Sequence, residues 1–412
     1  MERAKDLNIL ILNAPCNGFG DIIFAFKLYK IMKSIYNSHI YIATPDKEKM
    51  IMLGKLSDEI VILLTDKNGK HPGQCRKFGT LKMHTNINFD LILPAPIAWD
   101  FKFSLKDVQK LIPYANKHNT FAFSEYNDYL DKGMYFNTGI GKGRLGLLLL
   151  PVPKTKERLI HDKYALSYLN TIDSTTPRWR ACLKNFIIMI TDKYRYRRFQ
   201  LIVSPPMMDY LKGHISSDWF VNATISKREL RNTVNSFYKN IILVDKPEAK
   251  KAIKKIPRNE STFIIRGDIL PVPNDTMLQY IQHSVKDILI TGDQSITDVL
   301  SCCPTKNIWY QIAPWKENLG SNLAKQMHNK YLSSKQTSCG TVKAKFKSNY
   351  KEFIKKNNFV KNFRPLMDKI IDDIVNKTHE NKRNKIKRKT SRKRTSRKSR
   401  KSRKSRKSRK RS

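Results

Sequence analysis

Long apolar runs are missing from this sequence of 412 residues, and their absence argues against a membrane-spanning protein. A membrane helix needs about 18 consecutive apolar residues, and the best candidate, residues 145–150, is far shorter. The apolar stretch near the start, "LNILILNA" at 7–14, is interrupted by Asn8 and Asn13, which favours a buried strand over a signal peptide. We therefore expect no membrane partner.

Metal-binding and disulfide patterns are also missing. The 6 cysteines show no C-x-x-C spacing, the 9 histidines show no H-x₃-H spacing, and no D-x-D occurs. Cys302 and Cys303 are adjacent, which suits neither a metal pair nor an easy mutual bridge. We expect no metal, no cofactor and no disulfide framework, and a reducing, intracellular (cytoplasmic) compartment is the simpler interpretation.

Positive charge, by contrast, is abundant and unevenly distributed. The formal net charge is +44, and residues 381–412 carry 20 Lys and Arg with no acid, so the rest of the chain keeps +24. The triplet repeat "SRKSRKSRK" cannot bury apolar surface. We predict a disordered tail at 378–412 that binds DNA, RNA or an acidic protein surface.

Apolar runs alternate with helical periodicity through most of the remaining chain, which is typical of parallel α/β folds. A Gly-rich loop and prolines at 139–153 interrupt the alternation, and helical patterns fill much of 157–195 and 346–377. Two α/β domains are therefore predicted, at 1–153 and 154–377. The predicted strands lie near 8–13, 61–64, 90–93, 201–204, 241–244, 263–266, 287–290 and 307–311.

Polar residues are concentrated at one strand-to-helix corner in each predicted domain, where open α/β sheets bind their ligands. At the first, "NGFGDIIFA", Gly18 and Gly20 permit a sharp turn and close approach of a ligand. Asp21 follows at the start of a helix. It is either an ordinary N-terminal helix acid or a general base facing a cleft.

The second corner is "TGDQSITDVLS", formed by Thr291, Gly292, Asp293, Gln294 and Ser295. Amides at a helix N-terminus attract phosphate, and an acid there can accept hydrogen bonds from ribose hydroxyls. The alternative is a capping turn followed by an exposed acid, Asp298. The polar and aromatic loop after the next strand favours a nucleotide pocket that includes Gln311, Pro314 and Glu317.

The two motifs resemble those of a known enzyme class. A Gly-rich "GFGD" turn followed by a polar turn in a second α/β unit looks like a GT-B glycosyltransferase. "NGFGDIIFAFKLYKIM" and "TGDQSITDVLSCCPTKNIWYQIAPWKENLGSNL" are similar, more narrowly, to motifs of the bacterial protein-arginine rhamnosyltransferases. The chain departs from them at Asn17, Gln294, Tyr310 and Ala313. The composition and basic tail also look like those of giant DNA virus proteins.

This resemblance implies two Rossmann-like domains that face each other across a cleft. It implies a sugar transferred from a nucleotide-sugar donor to a protein or glycan acceptor, with inversion and without a metal. Asp21 matches the catalytic base. The donor-binding set is Gly18, Gly20, Thr291, Gly292, Asp293, Gln294, Ser295, Gln311, Pro314 and Glu317. Arg266 either helps to neutralise the diphosphate or is a solvated side chain.

Other functions stay open at this point. A non-enzymatic nucleic-acid-binding or virion-associated protein would use the basic tail, whose affinity for polyanions is independent of sequence. "GKGRLG" at 141–146 is a literal G-x-G-x-x-G, but no convincing strand precedes it, which argues against an NAD-dependent enzyme. "TDKYRYRRF" at 191–199 suits either nucleic-acid stacking or a solvated helix end.

Overall fold

The computed structural model describes residues 7–16, 19–72, 76–97, 103–128, 135–172, 179–215, 232, 234–246, 260–313, 316–326, 341–345 and 350–377. Gly18, Pro314 and the tail at 378–412 lie outside these ranges. What was predicted for them therefore stays a prediction.

The first half of the chain forms a five-stranded sheet in the order β4-β3-β2-β1-β5, parallel except for β4. Its strands are β1 (Asn8–Leu12), β2 (His39–Thr44), β3 (Val61–Asp66), β4 (Leu81–Met83) and β5 (Leu91–Pro94). Helices α1 (Gly20–Ile35), α2 (Lys47–Gly54) and α3 (Leu105–Leu111) accompany it, and β6 (Ala122–Phe123) pairs with β7 (Tyr135–Phe136).

The second half forms a seven-stranded sheet in the order β10-β11-β9-β8-β12-β13-β14, parallel except for β14. Its strands are β8 (Lys163–Tyr168), β9 (Arg198–Ile202), β10 (Asn240–Val244), β11 (Thr262–Arg266), β12 (Asp287–Thr291), β13 (Asn307–Gln311) and β14 (Thr341–Lys345). The helices are α4 (Trp179–Lys193), α5 (Pro205–Ile215), α6 (Asn274–His283), α7 (Asp293–Cys302), α8 (Glu317–Gln326), α9 (Tyr350–Lys356) and α10 at 359–377.

In each sheet the order in which the strands follow one another reverses at one strand. In the first sheet β1 lies between β2 and β5, and in the second β8 lies between β9 and β12. The carboxyl ends of the strands at such a switch point form a crevice where open α/β sheets bind ligands. The Asp21 turn follows β1 and the Asp293 turn follows β12, so both polar turns lie at switch points.

Helices α1 and α7 carry these turns and pack against each other in a core that both halves share. Ile22 of α1 and Ile296 of α7 belong to the same buried cluster, together with Phe363 of α10. Phe363 also contacts Phe123, with ring centroids 5.7 Å apart, so the C-terminal helix packs against the first half. The domain boundaries at 153 and 377 stay predictions.

All eight strand positions predicted from apolar runs coincide with or overlap observed strands. The helical interpretation of 157–195 was wrong for Lys163–Tyr168, which forms strand β8. Helix α4 lies in the same segment, at Trp179–Lys193. Because β8 is buried in the middle of the sheet, between β9 and β12, pairing overrides its mixed local propensity. In 139–146, Gly139 and Gly146 pair in an isolated bridge, so a loop occupies this segment.

Candidate active site

The first polar turn is held by backbone and side-chain hydrogen bonds. Asn13 donates from Nδ2 to the carbonyl oxygens of Ala95, at 3.0 Å, and Asp21, at 3.2 Å, which ties β1, β5 and α1 together. The Cys16 N–H donates to Asp21 Oδ2 at 2.8 Å. Asp21 is thus a partly buried acid in the first turn of α1, and Gly20 beside it is exposed.

The second turn depends on a glycine conformation. Gly292 has φ 78° and ψ 158°, a region essentially restricted to glycine, and it is the N-cap of α7. Asp293 is therefore the first residue of α7, at the N-terminus, where the helix leaves backbone amides without intrahelical partners. Neither Asp293 nor Ser295 caps the helix, because α7 has no side-chain cap hydrogen bond.

Two residues that the sequence did not single out connect the turns. The Lys316 ammonium contacts Glu125, which follows β6 in the first half, and lies 3.0 Å from Asp293 Oδ2. The Tyr126 N–H also donates to Asp293 Oδ2, at 3.2 Å. Lys316 and Asp293 are buried. A lysine from the second half thus bridges carboxylates from both halves.

Burial and mutual charge shift the proton affinities of these groups. Burial raises the pKa of Asp21 to about 8, and the Glu125 carboxylate adds to the rise. Burial also raises the pKa of Asp293 to about 6, although Lys316 opposes it. The pKa of Lys316 lies well above its usual value despite burial, because Asp293 and Glu125 favour the ammonium. The four groups therefore form one electrostatically coupled cluster.

Asp21 and Glu125 line a small recess. Its other walls are Ala14, Cys16, Phe78, Pro96 and Ile97. Because apolar side chains make up most of the lining, the two carboxyl groups are poorly hydrated there, which agrees with the raised pKa of Asp21.

Buried polar atoms around Asp293 lack hydrogen-bond partners. Within the described part of the chain, Asp293 Oδ1, Gln294 Oε1 and the Tyr310 hydroxyl are buried and make no hydrogen bond. Such atoms are rare in folded proteins and call for an explanation such as a ligand or water. Two hydrogen-bond acceptors, at the start of α7, and one hydroxyl donor, on β13, are thus available.

The remaining donor-binding candidates differ in their surroundings. Gln311 is buried. Its Oε1 accepts a hydrogen bond from the Asn170 N–H at 2.9 Å, and its Nε2 donates to the Asn170 carbonyl at 3.2 Å. The Thr291 hydroxyl donates to the Gln311 carbonyl at 3.3 Å. Ser295 is partly exposed beside the turn, and Glu317 is exposed in the first turn of α8. Gly18 and Pro314 lie outside the described residues.

Two alternatives suggested by the sequence, a solvated Arg266 and an exposed Asp298, were wrong. Arg266 is not solvated, because it is buried and both Nε and Nη2 donate to the carboxylate of Asp268, at 2.6 and 2.8 Å. Asp298 is not an exposed acid: it is buried and its carboxylate lies 2.5 Å from the Lys27 ammonium of α1. Tertiary packing brings Lys27 to Asp298, whereas Arg266 is neutralised by Asp268, two residues further along the chain.

The cysteine pattern also needs one correction. Cys16 is disulfide-bonded, although the sequence suggested no disulfide framework. Pairing depends on which thiols the fold brings within bonding distance, and spacing along the chain does not show this. Where the chain is described, no group of three His, Cys, Asp or Glu side chains suits a metal ion. Over the same residues, no helix is long and apolar enough to span a bilayer.

Neither a protein-family model nor a curated protein matches this chain. Among solved structures, it is similar to E. coli heptosyltransferase WaaC with ADP, at 11% sequence identity and a TM-score of 0.32. The similarity covers 74% of this chain and 86% of that one. At this identity and TM-score the likeness establishes no family.

Proposed function

We propose that this protein is a metal-independent, inverting glycosyltransferase of the GT-B type that moves a sugar from a nucleotide sugar to a protein or glycan acceptor. The observation that carries the proposal is the meeting of two switch-point turns, one from each parallel sheet, around Asp21, Glu125, Lys316 and Asp293. The motifs that resemble glycosyltransferases are the same two turns.

Asp21 is the proposed base. A general base works best when its pKa is close to the working pH, and burial beside Glu125 raises the pKa of Asp21 to about 8. Its carboxyl group lines the recess, and the Cys16 N–H fixes one of its oxygens. Oδ1 is then the oxygen available to take a proton from the acceptor.

Asp293 and the start of α7 are the proposed donor site. The cluster as a whole is acidic, because one ammonium faces three carboxyl groups. The diphosphate of the donor therefore belongs at the backbone amides of residues 292–295, which a helix N-terminus orients toward anions. Asp293 Oδ1, which lacks a hydrogen-bond partner, would accept a hydrogen bond from a hydroxyl group of the nucleotide sugar.

The reaction follows from this division. The acceptor nucleophile forms a bond to the anomeric carbon while the bond from that carbon to the diphosphate oxygen breaks. The acceptor proton goes to Asp21, and the leaving diphosphate keeps the electron pair. The helix N-terminus stabilises the negative charge that develops on the leaving group, the role that preorganised dipoles play in many enzymes. In-line attack on the opposite face inverts the anomeric carbon.

A binding experiment tests the proposal. The full chain is screened by thermal shift in moderate salt against nucleoside diphosphates and nucleotide sugars, with inorganic pyrophosphate as the control for charge alone. A ligand at one hundred times its Kd stabilises a protein by about 2.7 kcal/mol. We expect one nucleotide series to stabilise the chain more than pyrophosphate does. Equal effects of nucleotides and pyrophosphate throughout the panel would refute the donor site.

A variant pair locates the site. Asp293→Ala should weaken binding of the stabilising nucleotide by about 1.5–3 kcal/mol, the usual contribution of a hydrogen bond to a charged group. Asp275→Ala is the matched control, since Asp275 is also an acid in the first turn of a helix but pairs with Lys55 at the surface. Calorimetry should show unchanged affinity in the control.

A further inference from the structure

The segment that joins α4 to β9 carries an exposed tyrosine on a fixed aromatic base. The Tyr196 side chain is 40% exposed, and its ring stacks against the ring of Tyr194, with centroids 6.2 Å apart and an interplanar angle of 10°. Phe199 contacts both rings, with centroids 5.6 Å from Tyr194 and 5.9 Å from Tyr196. Tyr196 is therefore supported by the fold while much of its ring stays in contact with solvent.

Hydrogen bonds hold Tyr194 in place. Its hydroxyl donates to Asp287 Oδ2 of β12 at 2.5 Å, and its carbonyl accepts a hydrogen bond from the Tyr238 hydroxyl at 2.5 Å. Because both the side chain and the backbone of Tyr194 are fixed, the ring beside Tyr196 is in position before a ligand arrives. The segment is thus more than a solvated helix end.

Three exposed cations lie at the same edge of the second sheet. Lys163 is the first residue of β8, Arg197 directly precedes β9, and Lys286 directly precedes β12. These parallel strands are neighbours, in the order β9-β8-β12, and neighbouring strands lie about 4.8 Å apart. We refer to Lys163, Tyr196, Arg197 and Lys286 as the Tyr196 patch.

The positive charge of the patch is not neutralised by nearby acids. Acids at this edge are paired with other cations, at 2.5–3.4 Å: Asp162 with Arg198, Asp192 with Arg195, and Asp287 with Lys193. In the part of the chain that the structure describes, no ion pair engages the three cations of the patch. The patch therefore attracts an anionic partner.

The Tyr196 patch is remote from the candidate active site. It lies at the amino ends of β8, β9 and β12, whereas the Asp293 turn follows the carboxyl end of β12. Since β12 has five residues, the two edges of the sheet are about 16 Å apart along this strand. Binding at the patch is therefore independent of the proposed sugar transfer.

We propose that the Tyr196 patch binds single-stranded nucleic acid, with a base stacked on Tyr196 and phosphates at Lys163, Arg197 and Lys286. Proteins that bind single strands combine aromatic side chains, on which bases stack, with a positively charged path for the backbone. A duplex offers phosphates but keeps its bases stacked on one another, and an acidic peptide offers charge alone. The exposed ring favours a single strand over both.

The test uses the full chain and a uracil-rich oligonucleotide that carries 5-iodouracil. An excess of unlabelled duplex DNA occupies the basic residues 381–412. Ultraviolet light joins 5-iodouracil to an aromatic ring stacked on it, and peptide mass spectrometry locates the crosslink. We expect a crosslink at Tyr196 that persists in excess duplex. Crosslinks at other residues only, or displacement from Tyr196 by the duplex or by polyglutamate of equal total charge, would overturn the proposal.

Variants at position 196 test stacking. In excess duplex, Tyr196→Ala should weaken binding of the oligonucleotide about five- to 150-fold, the usual contribution of one stacked base. Tyr196→Phe keeps the ring and should bind as the unmodified chain does. Tyr114→Ala is the matched control, because Tyr114 is 41% exposed and lies in the first half of the chain. Equal losses in the two alanine variants, or no loss in Tyr196→Ala, would refute stacking at the patch.

A second pair of variants tests the charge of the patch. Arg197→Ser should lower the affinity for the oligonucleotide about two- to fivefold, the effect expected of one exposed charge. Lys117→Ser removes an exposed lysine of the first half and should leave the affinity unchanged. Fluorescence anisotropy in excess duplex measures both. If the two variants lose affinity equally, the phosphates do not bind at the patch.

Discussion

At the scale of single residues, Asp21 and Asp293 have the same side chain but different surroundings. Burial raises the pKa of both groups. The Glu125 carboxylate adds to the rise at Asp21, to about 8, whereas the Lys316 ammonium, 3.0 Å from Asp293, opposes the rise at Asp293, which reaches about 6. Two carboxyl groups with separated proton affinities suit different roles, one as a base and one as an ionised hydrogen-bond acceptor.

The first prediction concerns catalysis by Asp21. Asp21→Asn should reduce the single-turnover rate by about 10²–10⁴-fold, the usual contribution of a general base, with donor binding nearly intact. In the unmodified chain, kcat/KM should rise with pH through about 8, because only the ionised carboxylate accepts a proton. Full activity in Asp21→Asn would exclude this role. Glu125→Gln should move the rising limb to lower pH, since Glu125 raises the pKa of Asp21.

The second prediction concerns stability at Asp21. The pKa of Asp21 rises from its ordinary value of 3.8 to about 8 in the folded chain, so the folded chain binds this proton more tightly than the unfolded chain does. The resulting contribution to stability is complete below pH 3.8 and is lost as pH rises through about 8. Asn cannot ionise. The stability advantage of Asp21→Asn should therefore grow between pH 5 and 9, by up to about 4 kcal/mol. Denaturant unfolding at the two pH values measures it, and a constant difference would contradict the assigned environment.

At the scale of elements, α1 and α7 are joined by a buried ion pair. Lys27 is 1% exposed and its ammonium lies 2.5 Å from Asp298 and 2.7 Å from the Thr297 hydroxyl. The Asn274 amide also donates to Asp298, at 3.2 Å. Both charged groups have hydrogen-bond partners within the protein, so the loss of one member of the pair leaves the other as a buried charge without a counter-charge.

The third prediction follows from that pair. Lys27→Met should destabilise the chain by about 3–5 kcal/mol, because Asp298 stays buried without its counter-charge. Lys30→Met is the control, since Lys30 is an exposed lysine on the same helix. Urea denaturation should show a small change in the control. If both variants lose equal stability, the ion pair is not the cause.

The fourth prediction concerns the glycine before α7. Gly292→Ala should cost about 1–3 kcal/mol, because φ 78° with ψ 158° strains any residue that has a Cβ. No atom lies within 4 Å of the added Cβ, so crowding does not contribute. Gly20→Ala, where a Cβ also meets nothing within 4 Å, should be neutral or stabilising by up to about 1 kcal/mol. Thermal denaturation of both variants compares them, and an equal loss would refute the conformational argument.

At the scale of the whole molecule, charge is concentrated away from the candidate site. Residues 381–412 hold 20 of the basic residues and no acid, while the candidate site lies within the described residues of the two sheets. A polyanion and a nucleotide sugar therefore need not compete for the same part of the chain. The nucleic-acid-binding alternative depends on residues 381–412, with 191–199 as the second candidate segment.

The fifth prediction tests that separation. Deletion of 381–412 should abolish binding to duplex DNA and leave nucleotide-sugar affinity unchanged. In the full chain, DNA affinity should fall by about 10³–10⁵-fold between 50 and 200 mM salt if six to ten phosphates are contacted. Fluorescence anisotropy at several salt concentrations measures both. DNA binding that survives the deletion would place the polyanion site in the body of the protein.

Much of the fold followed from local pattern. Buried parallel strands need continuous apolar runs, so "ILIL" and "FIIR" predicted strands β1 and β11 without tertiary information. Likewise, glycine at position 292 and the helical spacing after it predicted the turn before α7. Local preference failed at β8, where a mixed sequence is held as a strand by its two neighbours.

The chemistry of the candidate site was decided by the tertiary structure. Asp21 and Asp293 were visible as polar turns, but Glu125 and Lys316, 191 positions apart, belong to no shared motif and meet only when the two halves pack. The same packing buries Asp298 against Lys27, 271 positions earlier in the sequence. The sequence alone therefore determined most of the strands, turns and helices, because those depend largely on neighbouring residues. Proton affinities and ion pairs depend on burial and on charges distant in sequence, which only the folded chain brings together.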